Sequence, residues 1–149
     1  MIVECLKNLP GYRFQLKIYA TDLDKKSILK AKNGIYDELS LKGCPSQYIK
    51  KYFSINHKYK ISDTIKNIVE FRCEDLFYDD PDLRNLDLIL CRNVLIYFTK
   101  DFQNDLFSKF YERLKTGGYV ILGKVEGMLG DVRKLFQPVN VKERIYQKL

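Results

Sequence analysis

The sequence predicts an α/β fold built on a doubly wound sheet, and three observations carry that prediction. An apolar run from Leu86 to Leu90 has the length and character of a strand buried on both faces of a parallel sheet. It breaks at Cys91-Arg92-Asn93, with no Gly, Pro or Ser turn, before the chain becomes apolar again from Val94 to Phe98. Acidic residues follow two other strand-like stretches, Asp22 after Phe14–Ala20 and Asp75 after Val69–Cys73. Ligands of open α/β sheets sit just past the carboxyl ends of the strands, where Asp22, Asp75 and Cys91-Arg92-Asn93 would lie.

Bulk properties bound the function classes. At 149 residues the chain is one domain, large enough for a sizeable core. Apolar content of 46% with 30% charged residues describes a soluble globular protein. No run approaches the ~20 apolar residues that span a bilayer. Ile2–Leu6 is too short for a signal peptide and contains Glu4. The four cysteines, Cys5, Cys44, Cys73 and Cys91, show no CxxC spacing, and His57 is the only histidine. That composition argues against a structural metal site and for a reducing cytosol. The net charge of +7 points to an acidic partner, a nucleic acid or an acidic protein face, although a lysine-rich solvated surface gives the same number.

In order, Met1–Leu9 reads as the end of an amphipathic helix with no N-cap of its own, stopped by Pro10-Gly11. Phe14–Ala20 alternates as a strand, and Asp24 caps a helix over Lys25–Lys32 that Asn33-Gly34 ends. Residues 35–66 form an insertion. Pro45–Phe53 reads as a short helix, and a hairpin turns around Asn56-His57-Lys58. From Leu39 to Ser62 there is no acidic residue, while Lys42, Lys50, Lys51, Lys58 and Lys60 occur among aromatics. Such a segment suits a nucleic acid, an acidic protein helix, or plain solvation.

After the strands Val69–Cys73 and Leu86–Cys91, Asp101–Leu114 has the apolar stripe Phe102, Leu106, Phe110, Leu114 of an amphipathic helix. Asp101 suits its positive N-terminus. Lys115–Gly118 reads as a helix stop and turn, Tyr119–Leu122 as a strand, and 126–135 as helical or irregular. Phe136–Val141 and Arg144–Lys148 read as a closing antiparallel pair.

A carboxylate past the second strand of such a sheet can accept from ribose hydroxyls, and one past the third from an exocyclic amine. The competing reading makes Asp22 and Asp75 turn or cap residues. Arg92 and Asn93 likewise suit either a ligand pocket or simple capping of the strand. For Tyr97, core packing beside Ile96 and Phe98 is the competing reading.

Several stretches together resemble the chemotaxis receptor methyltransferases of CheR type. They are Ala20–Asp24, Ala31–Tyr36, Tyr52-Phe53, Cys91–Phe98 and Leu114–Tyr119. The similarity runs from about residue 2 to the end, and the Cys-Arg-Asn-Val-x-Ile-Tyr-Phe block is highly specific to that family. The resemblance implies a Rossmann-like class I fold that binds S-adenosylmethionine. It implies methyl transfer to glutamate side chains of chemoreceptors in the cytoplasm. It matches Asp22 to the ribose-binding acid and Asp75-Leu76 to the adenine-contacting pair. Cys91, Arg92 and Asn93 match the cofactor-pocket block, and Tyr97 the tyrosine facing the transferred methyl, with Arg92 bracing the pocket or a carboxylate. Residues 35–66 match a small antiparallel β subdomain that touches the receptor, and the acid-free run within it makes Lys50, Lys51, Lys58 and Lys60 the lysines expected to recruit an acidic receptor helix.

Two departures accompany the resemblance. Family members carry an N-terminal helical domain, then a first strand with a glycine loop, and neither has a counterpart here. The chain is therefore expected to be a partial methyltransferase domain over 1–149. Its Phe14–Ala20 and Leu86–Cys91 strands then lack their usual partner, unless a separately encoded N-terminal part supplies it. The chain alone would turn over poorly. The second departure is local: Gly123-Lys124-Val125-Glu126 stands where the family often has Gly-His-Ser-Glu. The alternatives are a non-catalytic receptor-docking module and a nucleic-acid methyltransferase. The second fits the charge but lacks an Asn-Pro-Pro-Tyr type of motif.

Overall fold

A computed structural model describes residues 2–7, 14–78 and 80–149, and the chain divides into two units, Met1–Leu76 and Phe77–Leu149. The predicted stop at Pro10-Gly11 lies outside the described residues.

In the first unit, α1 (Ile2–Lys7) precedes β1 (Ile18–Asp22), which pairs in parallel with β5 (Val69–Cys73). The ladder runs from Ile18 opposite Val69 to Asp22 opposite Cys73. β1 therefore starts later than the alternation from Phe14 suggests. Its partner offers ladder positions only from Val69, directly after the short helix α4 (Asp63–Lys66) and its turn, so Phe14 stays exposed. Asp22 is the last residue of the strand rather than the first beyond it.

Helix α2 (Lys25–Asn33) has the expected ends. The Asp24 carboxylate accepts the Ser27 hydroxyl and the N–H groups of Lys26 and Ser27, and these bonds hold its carboxyl below the usual range. Gly34 closes the helix in the left-handed region at φ 66°, its N–H donating to the Lys30 carbonyl. A Cβ there would also lie 2.7 Å from the Ile61 side chain, so both backbone and packing require glycine.

The insertion folds into a three-stranded antiparallel sheet in the order β2 (Ile35–Tyr36), β4 (Lys58–Ile61), β3 (Phe53–Asn56), with α3 (Ser46–Tyr52) between β2 and β3 in the chain. The hairpin turns on His57 at φ 56°. Alternation sorts its faces. Tyr36, Phe53, Tyr59 and Ile61 are half-buried on one side, with Tyr36 and Phe53 edge to face at 6.2 Å. Ser54, Asn56, Lys58 and Lys60 are exposed on the other.

The second unit is a four-stranded sheet in the order β6 (Leu86–Cys91), β7 (Leu114–Leu122), β9 (Ile145–Lys148), β8 (Phe136–Asn140). β6 and β7 are parallel, and the closing pair is antiparallel as predicted. Helix α5 (Lys100–Arg113) is capped by Thr99, whose hydroxyl accepts the Phe102 N–H, with Asp101 in its first turn. Leu106, Phe107 and Phe110 of α5 are buried, as are Val120 and Leu122 of β7 and Leu95 beyond β6.

In the second unit, three features differ from expectation. Lys115–Gly118 is not a turn between elements but a bulge within β7. The register passes from Leu86 opposite Leu114 to Leu88 opposite Tyr119, with Gly117 at φ 78°. Phe102 leaves the buried stripe and is mostly exposed, its ring edge to face with Phe77 at 5.5 Å. β6 is also not buried on both faces. Ile89 and Cys91 share the side of Val120 and Leu122, whereas Leu88 and Leu90 share the side of Tyr119 and are 37% and 58% exposed. An unbroken apolar run signals two covered faces only when a layer packs on each, and the described residues leave the Leu88–Leu90 side open.

This asymmetry sets a pair of stability expectations. Leu106→Ala removes a fully buried side chain and should cost about 2–5 kcal/mol. Leu90→Ala on the open side should stay within about 0.5 kcal/mol, the range of surface substitutions. Denaturant midpoints of the two variants check both.

Candidate functional site

In the second unit the site is the loop that leaves β6. The strand ends at Cys91, Asn93 takes φ 60°, and a 3₁₀ turn follows over Leu95–Tyr97. Leu95 is buried and anchors the turn. The Gln103 side chain, from α5, donates to the carbonyls of Leu95 at 3.0 Å and Phe98 at 3.1 Å. From the other side comes Glu126, only 4% exposed. Its Oε2 accepts the N–H groups of Asn93 at 2.8 Å and Gly123 at 2.6 Å, and its Oε1 accepts that of Leu95 at 2.7 Å. A buried carboxylate is tolerated when charge-assisted hydrogen bonds replace its water, and three backbone N–H groups do so here.

Gly123 lets these groups meet. A Cβ on it would lie 2.5 Å from Asn93 Oδ1, 2.6 Å from Glu126 Oε2 and 2.9 Å from the Asn93 nitrogen. With the backbone pinned, Arg92, Asn93, Ile96 and Tyr97 face outward. Tyr97 is 80% exposed, so the core-packing reading of this residue fails. Cys91 points the other way. It is buried, and burial together with the nearby Glu126 charge pushes its thiol up to about 12, leaving it a neutral packing group.

In the first unit, Asp22 ends β1 with its side chain exposed, Oδ1 accepting the Asp24 N–H at 2.8 Å. The Glu74 N–H donates to the Asp22 carbonyl at 3.1 Å, so the chain leaving β5 runs beside it and Asp75-Leu76 follow directly. Both acids thus lie at the carboxyl end of one parallel strand pair. Of the four lysines, Lys58 and Lys60 project from one exposed face of the hairpin and Lys50 is exposed on α3. Lys51 is engaged: Glu4 of α1 binds its ammonium at 2.9 Å and also accepts the Tyr52 hydroxyl. That carboxylate holds the Lys51 ammonium and the Tyr52 hydroxyl above their ordinary ranges.

Comparison with known proteins decides the family. Residues 2–145 match the CheR methyltransferase, SAM binding domain family. The chain belongs to that family. It is 34% identical over 151 aligned residues to the chemotaxis protein methyltransferase of Vibrio anguillarum, covering 99% of this chain and 54% of that protein. It is 32% identical, with the same coverage, to chemotaxis protein methyltransferase 1 of Vibrio cholerae. Against chemotaxis protein methyltransferase 1 of Pseudomonas aeruginosa it is 33% identical over 124 residues, 81% of this chain and 45% of that protein. The chain spans about half the length of the curated relatives it matches.

Membership in the CheR family makes the fold a Rossmann-like, S-adenosylmethionine-binding α/β domain, as the sequence predicted. The strand order agrees with a partial form of it: β1 and β6 each have a single hydrogen-bonded neighbour among the described residues. What the sequence reading did not assign is the part played by Glu126. The signal was present in Gly123-Lys124-Val125-Glu126, an acid three residues past a glycine at the end of a strand, but only the fold shows which N–H groups it receives.

Two expectations follow for this CheR-family site. Gly123→Ala should cost about 1–3 kcal/mol, the scale of overpacking, because the added methyl meets a backbone nitrogen and a pinned carboxylate. In native protein at pH 8, iodoacetamide should label the exposed Cys5 and Cys73 and spare Cys91, whose thiolate forms only near pH 12. Mass spectrometry before and after denaturation reads both states.

Proposed function

We propose that this chain is the cofactor-binding part of a cytoplasmic enzyme that methylates glutamate side chains of chemoreceptors, using S-adenosylmethionine. The observation that carries the reading is the match of residues 2–145 to the CheR methyltransferase, SAM binding domain family. The outward-facing Arg92, Asn93 and Tyr97 on a braced loop support it. No helix among the described residues is long and apolar enough to cross a membrane.

The residues fit the group chemically. Asp22 is an exposed carboxylate at a strand end, suited to accept from ribose hydroxyls, and Asp75-Leu76 offers an acceptor and an apolar wall for adenine. Asn93 meets the cofactor from the loop after β6, with Cys91 packed beneath it as a buried support, Arg92 steadies a carboxylate, and Tyr97 lines the methyl path. When bound, the cofactor supplies an already activated methyl on a sulfonium. A glutamate carboxylate is ionised at pH 7 and needs no base. The protein's task is then alignment and exclusion of water. Residues 35–66 are the receptor-contacting subdomain in this reading. Lys50, Lys58 and Lys60 draw in an acidic receptor helix, and Lys51 adds its charge while tied to Glu4. A further polypeptide segment, in the same chain or a separate one, pairs with a strand edge left open among the described residues.

The test is a methyl-ester assay with labelled cofactor and a receptor cytoplasmic fragment, on the chain alone and with the N-terminal half of a relative added. Base-labile label on receptor glutamates, strongest with the added half, is expected. Label on RNA instead would overturn the assignment. In the same assay Asp22→Ala should weaken cofactor binding by about 1–3 kcal/mol, the worth of hydrogen bonds to a charged group. Calorimetry reads that change directly, and unchanged affinity would remove Asp22 from the ribose role.

A further inference from the structure

We infer that Glu126 is a positioning residue: its buried carboxylate ties the end of β7 to the loop after β6 and so sets where Arg92, Asn93 and Tyr97 project. The inference rests on the reading of that loop as part of the cofactor site. Its basis is geometry. Glu126 takes N–H groups from two segments, Gly123 on its own side and Asn93 and Leu95 across from it.

Among the described residues, no second buried side chain holds the loop over 123–127 through hydrogen bonds in this way. Lys124 is exposed and Val125 is 81% exposed, so apolar burial does not seat it. Its further braces are the Glu126 N–H, which donates to the Gly123 carbonyl at 3.0 Å, and Arg144, whose Nε donates to the Lys124 carbonyl at 3.1 Å. Across from it, Asn93 turns the chain in the left-handed region, which asparagine adopts more readily than most non-glycine residues. The N–H of Asn93 is what Glu126 receives, and the Asn93 side-chain oxygen packs over Gly123.

A carboxylate is needed because both oxygens act as acceptors. Glutamine has one carbonyl oxygen, and its amide group would face an N–H with another N–H. Glu126→Gln therefore leaves at least one buried backbone donor without a partner while keeping the side-chain shape. Glu126→Asp keeps the charge and withdraws it by one methylene. Gly123→Ala leaves Glu126 in place and crowds the junction.

The experiment measures S-adenosylhomocysteine affinity by calorimetry and amide hydrogen exchange by NMR, on the full chain and the three variants. Glu126→Gln should weaken S-adenosylhomocysteine binding at least ten-fold and accelerate exchange at Asn93, Leu95 and Gly123 while Leu106 and Val120 stay protected. Glu126→Asp should fall between it and wild type. A purely stabilising role predicts something else, a lowered unfolding midpoint with wild-type affinity in the folded protein, and that result would overturn the inference. If Glu126→Gln does not fold, Glu126→Asp and Gly123→Ala carry the same comparison. If the wild-type chain binds no S-adenosylhomocysteine, the functional reading fails for this chain. The exchange measurement then decides alone: local acceleration supports the positioning role, and unchanged protection at the three amides overturns it.

Discussion

Three backbone N–H groups converge on one buried carboxylate, and the geometry of the loop past β6 depends on that convergence. A lone buried charge is expensive, so Glu126 stays inside only while Asn93, Leu95 and Gly123 face it. The dependence runs both ways. Those amides would otherwise be buried donors without acceptors, and Gly123 must lack a Cβ for them to approach. The Cys91 thiol beneath this junction stays neutral, so β6 contributes packing up to its last residue and polar chemistry only beyond it. A short sequence thus changes character within three residues, from core to projecting loop, with the left-handed Asn93 in place of a Gly, Pro or Ser turn.

The first unit solves a different problem. Its parallel pair is short, limited by the ladder that β5 offers, and its stability is supplemented by local devices such as the Asp24 cap and the Gly34 stop. The insertion separates two tasks by alternation. Tyr36, Phe53, Tyr59 and Ile61 lie half-buried on one face, and Lys58 and Lys60 stand on the other. Glu4 draws Lys51 and Tyr52 to α1, so the helix before β1 braces the insertion through a mixed ion-pair and hydroxyl contact. Exposed ion pairs of this kind contribute little stability singly, and their effect here is to orient α3 relative to α1.

Much of this was legible in the sequence, for reasons that differ by element. α2 could be read to the residue because its cap and stop are local chemistry at Asp24 and Gly34. β5, β6 and the hairpin around His57 followed from short apolar or alternating runs bounded by polar breaks. β1 was misplaced because a strand's extent is set by its partner, which single-strand alternation does not reveal. The bulge at Lys115–Gly118 has the composition of a turn, and only pairing with Leu86 and Leu88 makes it part of a strand. The open side at Leu88 and Leu90 was hidden because residue type reports what a strand tolerates, not which layers are present. For the site, Asp22, Arg92, Asn93 and Tyr97 were named from their places after strands and from family resemblance. Glu126 stands in the sequence with no legible task, since its partners are backbone groups that carry no sequence signature.

The central claim is the proposal that Asp22, Asp75-Leu76, Arg92 and Asn93, each at or just past the carboxyl end of a strand, contact a nucleoside-containing methyl donor. The most direct test is an NMR titration of the isotope-labelled chain with S-adenosylhomocysteine. The account predicts saturable amide shifts concentrated at Asp22, Asp75-Leu76 and Arg92-Asn93. Saturable shifts confined to residues 35–66, or none at those five positions, would contradict it.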